Sequence, residues 1–316
     1  MRALRWTLGL GSAAACVLLL FPVTTTWWTP LALASSFLTY LVVVPVLWLL
    51  TLVPGLADPR RRVLSLAGVM VSAALTVTLG LPLAERFGAF PQAGADDLRV
   101  LSLNVEFGEA DVEGLSQEAL RNSADVVVLM ELTPDYLTKL EDAGFFRLYP
   151  YWIGEASLDA SGTGMFSRTP MTELGRAASI FVGVAAQTKV RGLTWTIAGV
   201  HPVSPYFTAD TWERDAAAVR ELLAPLRSSN TVVVGDFNAV SQHYTMKRLY
   251  DLGYANAVHQ TGAGWQPTWP MEKGYPPLID IDHALTSPQV AATGLRFFTV
   301  PGTDHRGLEV SAAPAG

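Results

Sequence analysis

Asp236 and Asn238 stand two residues apart in the stretch Thr231 to Val240, which reads Thr-Val-Val-Val-Gly-Asp-Phe-Asn-Ala-Val. The three valines make a short apolar run suited to a buried strand, and Gly-Asp-Phe-Asn falls where that strand must end. If extended geometry persists to Asn238, the carboxylate and the amide face one side and Phe237 turns back toward the core. Such a pair suits one kind of chemistry, in which the carboxylate holds or deprotonates a water while the amide donates a hydrogen bond to a phosphoryl oxygen. The plain alternative is a strand-to-turn Asp-x-Asn with no chemistry at all.

Other polar side chains sit at the ends of apolar runs in the same way. Ser102-Leu-Asn104, Leu129-Met-Glu131 and Val200-His201-Pro202 close three of them, Ile281-Asp282-His283 opens another, and Thr303-Asp304-His305 stands near the C-terminus. A glutamate at the end of a buried strand is costly unless it is paired or bound to a cation, so Glu131 reads as a hard-oxygen ligand for Mg²⁺. Alternatively it is an acid opening the next helix, with Thr133-Pro134 just behind it. A lone strand-tip histidine such as His201 is more often structural than catalytic. Asp280 and Asp282 occupy alternate positions on one face, so the residues alone leave open which of them would partner His305. His243, His259 and His283 carry no motif and read as structural or surface residues.

In order and chemistry these stretches resemble the endonuclease/exonuclease/phosphatase superfamily, which includes type I deoxyribonucleases, apurinic endonucleases, inositol polyphosphate 5-phosphatases and neutral sphingomyelinases. The resemblance covers about Asp96 to Val310, and its specific parts are Gly-Asp-Phe-Asn and the late Asp304-His305. It implies an α/β fold, the four-layer α/β/β/α sandwich of the DNase I-like proteins, with the catalytic residues at one end of two face-to-face sheets. It also implies roles. Glu131, with Asn104 and Asp304, would form the surroundings of a Mg²⁺ ion, with Mn²⁺ as the alternative. His305 would be the general base or the cation that stabilises the phosphorane, with Asp282 orienting its other nitrogen. His201 would contact the phosphate or assist the leaving group, while Asp236 and Asn238 would handle water and charge. Gly162 to Arg168 resembles a supporting Gly-x-x-x-x-Ser-Arg strand of the family.

The elements that must position these residues can be read along the chain. Strands are expected at 98–105, 125–130, 164–167, 187–190, 193–200, from Thr231, and at 282–286, 295–300 and 308–312. Helices are expected at 112–122, at 134–142 with Thr133 as N-cap and proline at the first position, and at 211–226 with Thr211 as N-cap. The loop Gly264-Trp-Gln-Pro-Thr-Trp-Pro270 is either ordinary packing or a substrate-facing wall in which Trp265 or Trp269 meets an apolar or sugar group.

Half of the residues are hydrophobic and mean hydropathy is +0.29, and the excess lies at the front. Leu4 to Val23, Leu31 to Ala57 and Val63 to Ala84 are nearly free of charge and each reaches the roughly 20 residues needed to span a bilayer, so three transmembrane helices precede the head. Pro45 and Pro54 in the second are tolerable in lipid when neighbouring helices satisfy the freed backbone groups. A cleaved signal peptide is the alternative for the first, behind Arg2 and Arg5. Those arginines and Arg60-Arg61-Arg62 between the second and third spans put the N-terminus and that loop in the cytoplasm by the positive-inside rule. The head then emerges outside, a cell-membrane, multi-pass and extracytoplasmic arrangement. Cys16 is the lone cysteine, so the head has neither thiol nor disulfide.

Residues 1–95 carry six arginines against Asp58 and Glu85, a balance of +4, so a chain at −6 leaves −10 on the head. That sign opposes tracking of nucleic-acid backbones, whose affinity rests on Lys and Arg. The sequence therefore reads as an anchor (1–85), a linker (86–97) and a catalytic domain (98–316). The activity expected is a Mg²⁺-dependent phosphoesterase acting on a lipid-linked phosphate or pyrophosphate, as in the membrane-anchored bacterial branch that includes glycopeptide-resistance proteins. An extracellular nuclease and a non-catalytic envelope binding module are the competing readings. Clustered acids that a binding module would have no reason to keep weigh against the latter.

Overall fold

A computed structural model describes residues 4, 6–12, 28–88 and 91–315. Two six-stranded sheets make the head. The first runs in the order β11 (Val290–Thr299), β12 (Arg306–Pro314), β1 (Leu98–Asn104), β2 (Val126–Met130), β4 (Thr163–Ser167), β3 (Tyr151–Glu155). The second runs β5 (Met171–Arg176), β6 (Val184–Val190), β7 (Leu193–Val200), β8 (Thr231–Asp236), β10 (Asp282–Thr286), β9 (Ala255–Asn256). Val100, Val128 and Met130 of the first sheet share one buried cluster with Ile197, Val232 and Val234 of the second, so the sheets pack face to face. Helices Val112–Arg121 and Pro134–Asp142 cover the outer face of the first sheet through Leu115, Ala119, Tyr136 and Leu140. Helices Ala209–Leu223 and Tyr244–Tyr250 cover the second through Trp212, Val219, Met246 and Leu249. The result is a helix/sheet/sheet/helix stack.

Two parallel pairs decide where the chemistry goes. β1 pairs parallel with β2, and β7 with β8. Parallel neighbours need a crossover, supplied here by helices 112–121 and 209–223. Each pair therefore ends at the same edge, which brings Asn104 and Glu131 level on one sheet and His201 and Asp236 level on the other. Antiparallel β10 starts at that edge, with Asp282 opposite Asp236.

Of the expected elements, helix 134–142 has the expected bounds, and Thr133 caps it by accepting the Tyr136 N–H at 3.1 Å. The helix expected to open at Thr211 opens at Ala209, because Thr208 is extended and its Oγ1 accepts the Thr211 N–H at 3.0 Å. It ends at Leu223, and residues Ala224–Ser228 around Pro225 continue as a 3₁₀ turn. Strands β3 and β5 were not expected. Both are sheet edges with mostly exposed or half-buried side chains, so neither shows an apolar run.

In the anchor, two helices are long and apolar enough to cross a membrane by length and composition, Leu38–Ala57 and Arg62–Ala84. Only 11% and 22% of their most apolar windows are buried, whereas the core helix of a globular domain would be mostly buried. They pack together as a hairpin, with the Ser72 hydroxyl donating to the Pro45 carbonyl. The first expected span, Leu4 to Val23, and with it Cys16, Arg2 and Arg5, falls mainly outside the described residues. The second is divided. Thr29–Ser35 is a separate helix, and a turn at Ser36 and Phe37 leads into Leu38.

That short helix is docked on the head. Thr29 Oγ1 accepts the Ala209 N–H at 3.0 Å, Ala32 joins the cluster around Trp212, and Ser35 Oγ is 2.8 Å from His243 Nε2. Further along, Thr39 accepts from Gln242 at 3.1 Å, and Tyr40 donates to the Leu278 carbonyl at 2.7 Å and meets Trp265 edge-on. Just past the second helix of the hairpin, back at the head, Arg86 is buried and pairs with Asp280 at 2.8 Å. Asp280 is thus engaged by the anchor and leaves Asp282 to the site.

Candidate active site

Asp236 is the last residue of β8 and is 1% exposed. Gly235 before it has φ +150, and a Cβ there would collide with the Val200 carbonyl oxygen, so only glycine lets β8 close on β7 at this point. Beyond Asp236 the extended geometry does not persist. Asn238 has φ +47, and its backbone N–H donates to Asp236 Oδ1 at 2.8 Å, a local turn of the kind Asp and Asn favour. The two side chains still face one cleft, by a turn rather than by strand alternation. Phe237 points into the outer core. One amide N–H of Asn238 donates to the Pro202 carbonyl at 3.0 Å, which ties it to the His201 turn.

Asn104 bridges the two sheets. Its Nδ2 donates to Glu131 Oε1 at 3.0 Å and to Asp236 Oδ2 at 3.2 Å, and its Oδ1 accepts the Glu106 N–H at 3.0 Å. Glu131, just past β2 with φ +54, also accepts the Phe107 N–H at 3.1 Å through Oε2. Burial raises its pKa, against the lowering effect of Asn104 and His305.

His305 lies between carboxylates. Its Nδ1 is 2.9 Å from Asp282 Oδ2, and its Nε2 is 3.7 Å from Asp236 Oδ2 and 3.6 Å from Asp304 Oδ1. Burial opposes its charge, but Asp282 and Asp236 outweigh that and lift its pKa to about 10, so it is an imidazolium at neutral pH. Burial and the neighbouring Asp282 push Asp236 upward, against His305. His201 is the opposite case. Its Nε2 is 3.6 Å from Asp236 Oδ2, its ring lies 4.9 Å from Phe181, and burial with the His305 charge pushes its pKa down to about 3, leaving it neutral.

Each expected site residue therefore lies at this one edge. The grouping differs from the sequence reading in one respect. Among the described residues, the acidic and histidine ligand atoms that all fall within 4.8 Å of one another belong to Asp236, Asp282 and His305, not to Asn104, Glu131 and Asp304. With His305 protonated, that triad is an ion-pair cluster, whereas Glu131 and Asp304 offer hard oxygens. Asp304 Oδ2 accepts the Trp269 indole N–H at 2.9 Å, which makes Trp269 the tryptophan of its loop that lines the cleft. A divalent cation suits such a donor set, because Glu131 and Asp304 both present hard carboxylate oxygens to the one cleft.

Two residues went unnoticed in the sequence. Glu106 lines the cleft and accepts the Asp304 N–H at 2.5 Å, and burial together with Asp304 raises its pKa. Nothing local in Val-Glu-Phe-Gly marks it. Asp215, buried on helix 209–223, accepts the backbone N–H groups of Ile180 and of Val203 (the latter at 2.8 Å) and so fixes the loops that carry Phe181 and His201. An acid on the inner face of an amphipathic helix was the available signal.

The cleft holds about 320 Å³. Its polar floor is Glu106, Glu131, His201, Asp236, Asn238, Asp304 and His305, and its walls are apolar and aromatic. No lysine or arginine lines it among the described residues.

Comparison with known proteins agrees with this architecture. The profile of the Endonuclease/Exonuclease/phosphatase family matches residues 101–305. The head is similar to D. rerio TDP2 complexed with a single-strand DNA product, at 16% identity and TM-score 0.53 over 69% of this chain and 99% of that one. It is similar to an endonuclease/exonuclease/phosphatase from Bacteroides vulgatus at 16% identity and TM-score 0.55, over 69% and 99%. The human Nocturnin catalytic domain with bound sulfate aligns at 14% identity and TM-score 0.53, over 70% and 94%. At such identities the likeness shows the fold alone. No curated protein sequence matches the chain.

Proposed function

Because the chain belongs to the endonuclease/exonuclease/phosphatase family, we propose that it is a membrane-anchored, divalent-metal-dependent phosphoesterase whose substrate is a lipid-linked phosphate or pyrophosphate at the outer face of the membrane. One observation carries the substrate class: among the described residues the cleft has an acidic floor, apolar walls and no lining Lys or Arg. A groove for nucleic acid needs cations along a backbone. Net charge points the same way, since the head carries −10 against an anchor at +4 in a chain at −6.

Glu131 and Asp304, with Asn104 beside them, would hold Mg²⁺ or Mn²⁺, which when bound polarises the scissile phosphoryl group and neutralises its charge. The chain's own residues do the rest. Asp236, fixed by Asn104 and the Asn238 N–H, orients a water and takes its proton as the water oxygen bonds to phosphorus. The bond to the leaving oxygen breaks with its electron pair. The His305 imidazolium, aligned through Nδ1 by Asp282, places Nε2–H against the developing charge, while neutral His201 and the Asn238 amide add hydrogen bonds to phosphoryl oxygens. The outward orientation is supported by the arginines at 60–62 between the two apolar helices.

The test compares two substrates with one preparation. Purified full-length protein with Mg²⁺ is expected to release phosphate from a prenyl pyrophosphate in detergent far faster than it nicks supercoiled plasmid. The opposite preference would restore the nuclease reading.

A further inference from the structure

The anchor does more than tether the head: Leu33, Ser36 and Phe37 line the same cleft as His201, Asp236 and His305. They stand there because helix Thr29–Ser35 is docked on the head. Thr29, Ala32 and Ser35 attach the helix to the head, and Leu33, one turn on from Thr29, and the turn residues Ser36 and Phe37 lie beside that attachment, where they border the cleft. Across the cleft stand Tyr206 and Phe207, which are 71% and 53% exposed, while Phe37 is 44% exposed. Large aromatics gathered at a catalytic mouth with so much surface uncovered call for a ligand that covers them. Phe207 meets Phe181 edge-on at 5.8 Å, and Phe181 lies 4.9 Å from the His201 ring, so the apolar path runs from the lip to the reacting end. At its outer end Phe37 precedes Leu38, the first residue of a membrane-length helix. The lip of the cleft is therefore continuous with the surface that meets lipid.

We propose that Leu33 and Phe37 of the anchor, with Tyr206 and Phe207 of the head, form an apolar subsite for the hydrocarbon chain of the substrate, so that the membrane segment itself sets specificity for amphiphilic phosphoesters entering from the bilayer side. The occupant is an alkyl or prenyl chain joined directly to the phosphoryl group, because the lining between the lip and the phosphoryl-handling residues is mainly apolar and aromatic, with Ser36 and Ser204 its uncharged polar members. The inference rests on the phosphoesterase reading for the chemistry at the floor and extends it to who enters and how.

Binding of n-alkylphosphonates from n-butyl to n-octyl to the full chain in lipid nanodiscs, in Mg²⁺ and read by calorimetry, tests it. A fully buried methylene is worth about fourfold in affinity, so even half-effective burial predicts a tightening of at least about tenfold across the four added carbons. Phe37→Ser should reduce that chain-length dependence to about threefold or less, Leu33→Ser should reduce it partly, and Phe37→Leu should restore most of it. A merely structural role for Phe37 would shift all chain lengths together. If Tyr206 and Phe207 only rest on the bilayer, wild-type binding will not depend on chain length, or the dependence will survive Phe37→Ser; either result, or no phosphonate binding at all, overturns the subsite. Hydrolysis of a small soluble aryl phosphodiester by the wild-type protein, measured alongside, reports on the phosphoesterase reading alone, so the two can fail separately.

Discussion

His305 and Glu131 occupy one cleft yet are held in opposite ways, and substitutions should separate them. His305 is a buried cation made by Asp282 and Asp236, whereas Glu131 is a half-buried carboxylate that accepts from the Asn104 amide and the Phe107 N–H. Glu131→Gln, Asp236→Asn and His305→Ala are each expected to lower turnover by at least about two orders of magnitude in a folded protein, since positioned acid/base groups and charge stabilisers contribute ~10²–10⁴-fold. Titrating Mg²⁺ distinguishes them: Glu131→Gln should raise the concentration needed for half-maximal activity, and His305→Ala should not. Asp282→Asn should resemble a milder His305→Ala, because an amide can still touch Nδ1 but no longer favours the cation. His259→Ala, outside the cleft, should stay near wild type. Loss of activity in His259→Ala with retention in His305→Ala would mean that the wrong histidine has been placed at the site. At this scale the sequence was informative wherever a polar residue interrupts an apolar run, as at Asn104, Glu131 and Asp236. It was silent on Glu106, which enters the cleft through the left-handed turn at φ +45; the residues alone left Asp280 and Asp282 open, the family resemblance favoured Asp282, and His305 Nδ1 lies 2.9 Å from Asp282 while Asp280 pairs with Arg86.

The elements most readily read from sequence are those whose burial is uniform. β2 and β8 are buried throughout and their valine runs announce them, while edge strands β3 and β5 are solvated on one side and carry no such pattern. Hydropathy likewise does not separate an apolar segment of membrane length from one that docks on protein, and residues 31–35 of the helix Thr29–Ser35 fall within the expected span from Leu31 for that reason. Its docking depends on His243, a residue without a motif that reads from sequence as structural or surface and is 1% exposed. Nδ1 accepts the Val240 N–H at 3.1 Å, so the neutral ring carries its proton on Nε2 and donates to Ser35 Oγ, which donates in turn to the Ala32 carbonyl. Burial holds the His243 pKa down to about 3, with His283 and Lys247 adding to it. Unfolded, the ring would titrate near its ordinary value of about 6.5, so below that pH the unfolded state binds a proton that the folded state refuses. Stability therefore falls as pH drops from about 6.5 toward 3, by at most about 1.4 kcal/mol per pH unit from this residue. Amide hydrogen exchange between pH 7 and 4.5 should show residues 29–37 loosening first. His243→Gln, whose amide can both accept and donate, should flatten the acid slope; an unchanged slope would shift the effect to His201 or His283.

Across the whole molecule, the hairpin and the head constrain each other. Leu38–Ala57, 3₁₀ at both ends, and Arg62–Ala84 have 20 and 23 residues, each roughly 35 Å at about 1.5 Å per α-helical and 2.0 Å per 3₁₀ residue, long enough for the hydrocarbon thickness of a bilayer. Leu38 and Ala84 both lie at the head end, since Thr39, Tyr40 and Arg86 all bond to head residues, so if the hairpin crosses a bilayer as proposed, the turn at 58–61 would lie at the opposite surface. Arg60, Arg61 and Arg62 at that turn favour the cytoplasmic side. A reporter fused at the C-terminus is accordingly expected to behave as extracytoplasmic, and one inserted beside Arg61 as cytoplasmic. The docked contacts make this a sharper test than charge alone, because both fusions must answer together: a head on the cytoplasmic side requires the arginine turn outside. Protease protection in sealed right-side-out vesicles, with cleavage in 91–97 only after detergent, would be the inverted result. It would leave the catalytic geometry untouched while removing the outer-leaflet substrate, since the cleft lip at Phe37 would then open onto the inner leaflet.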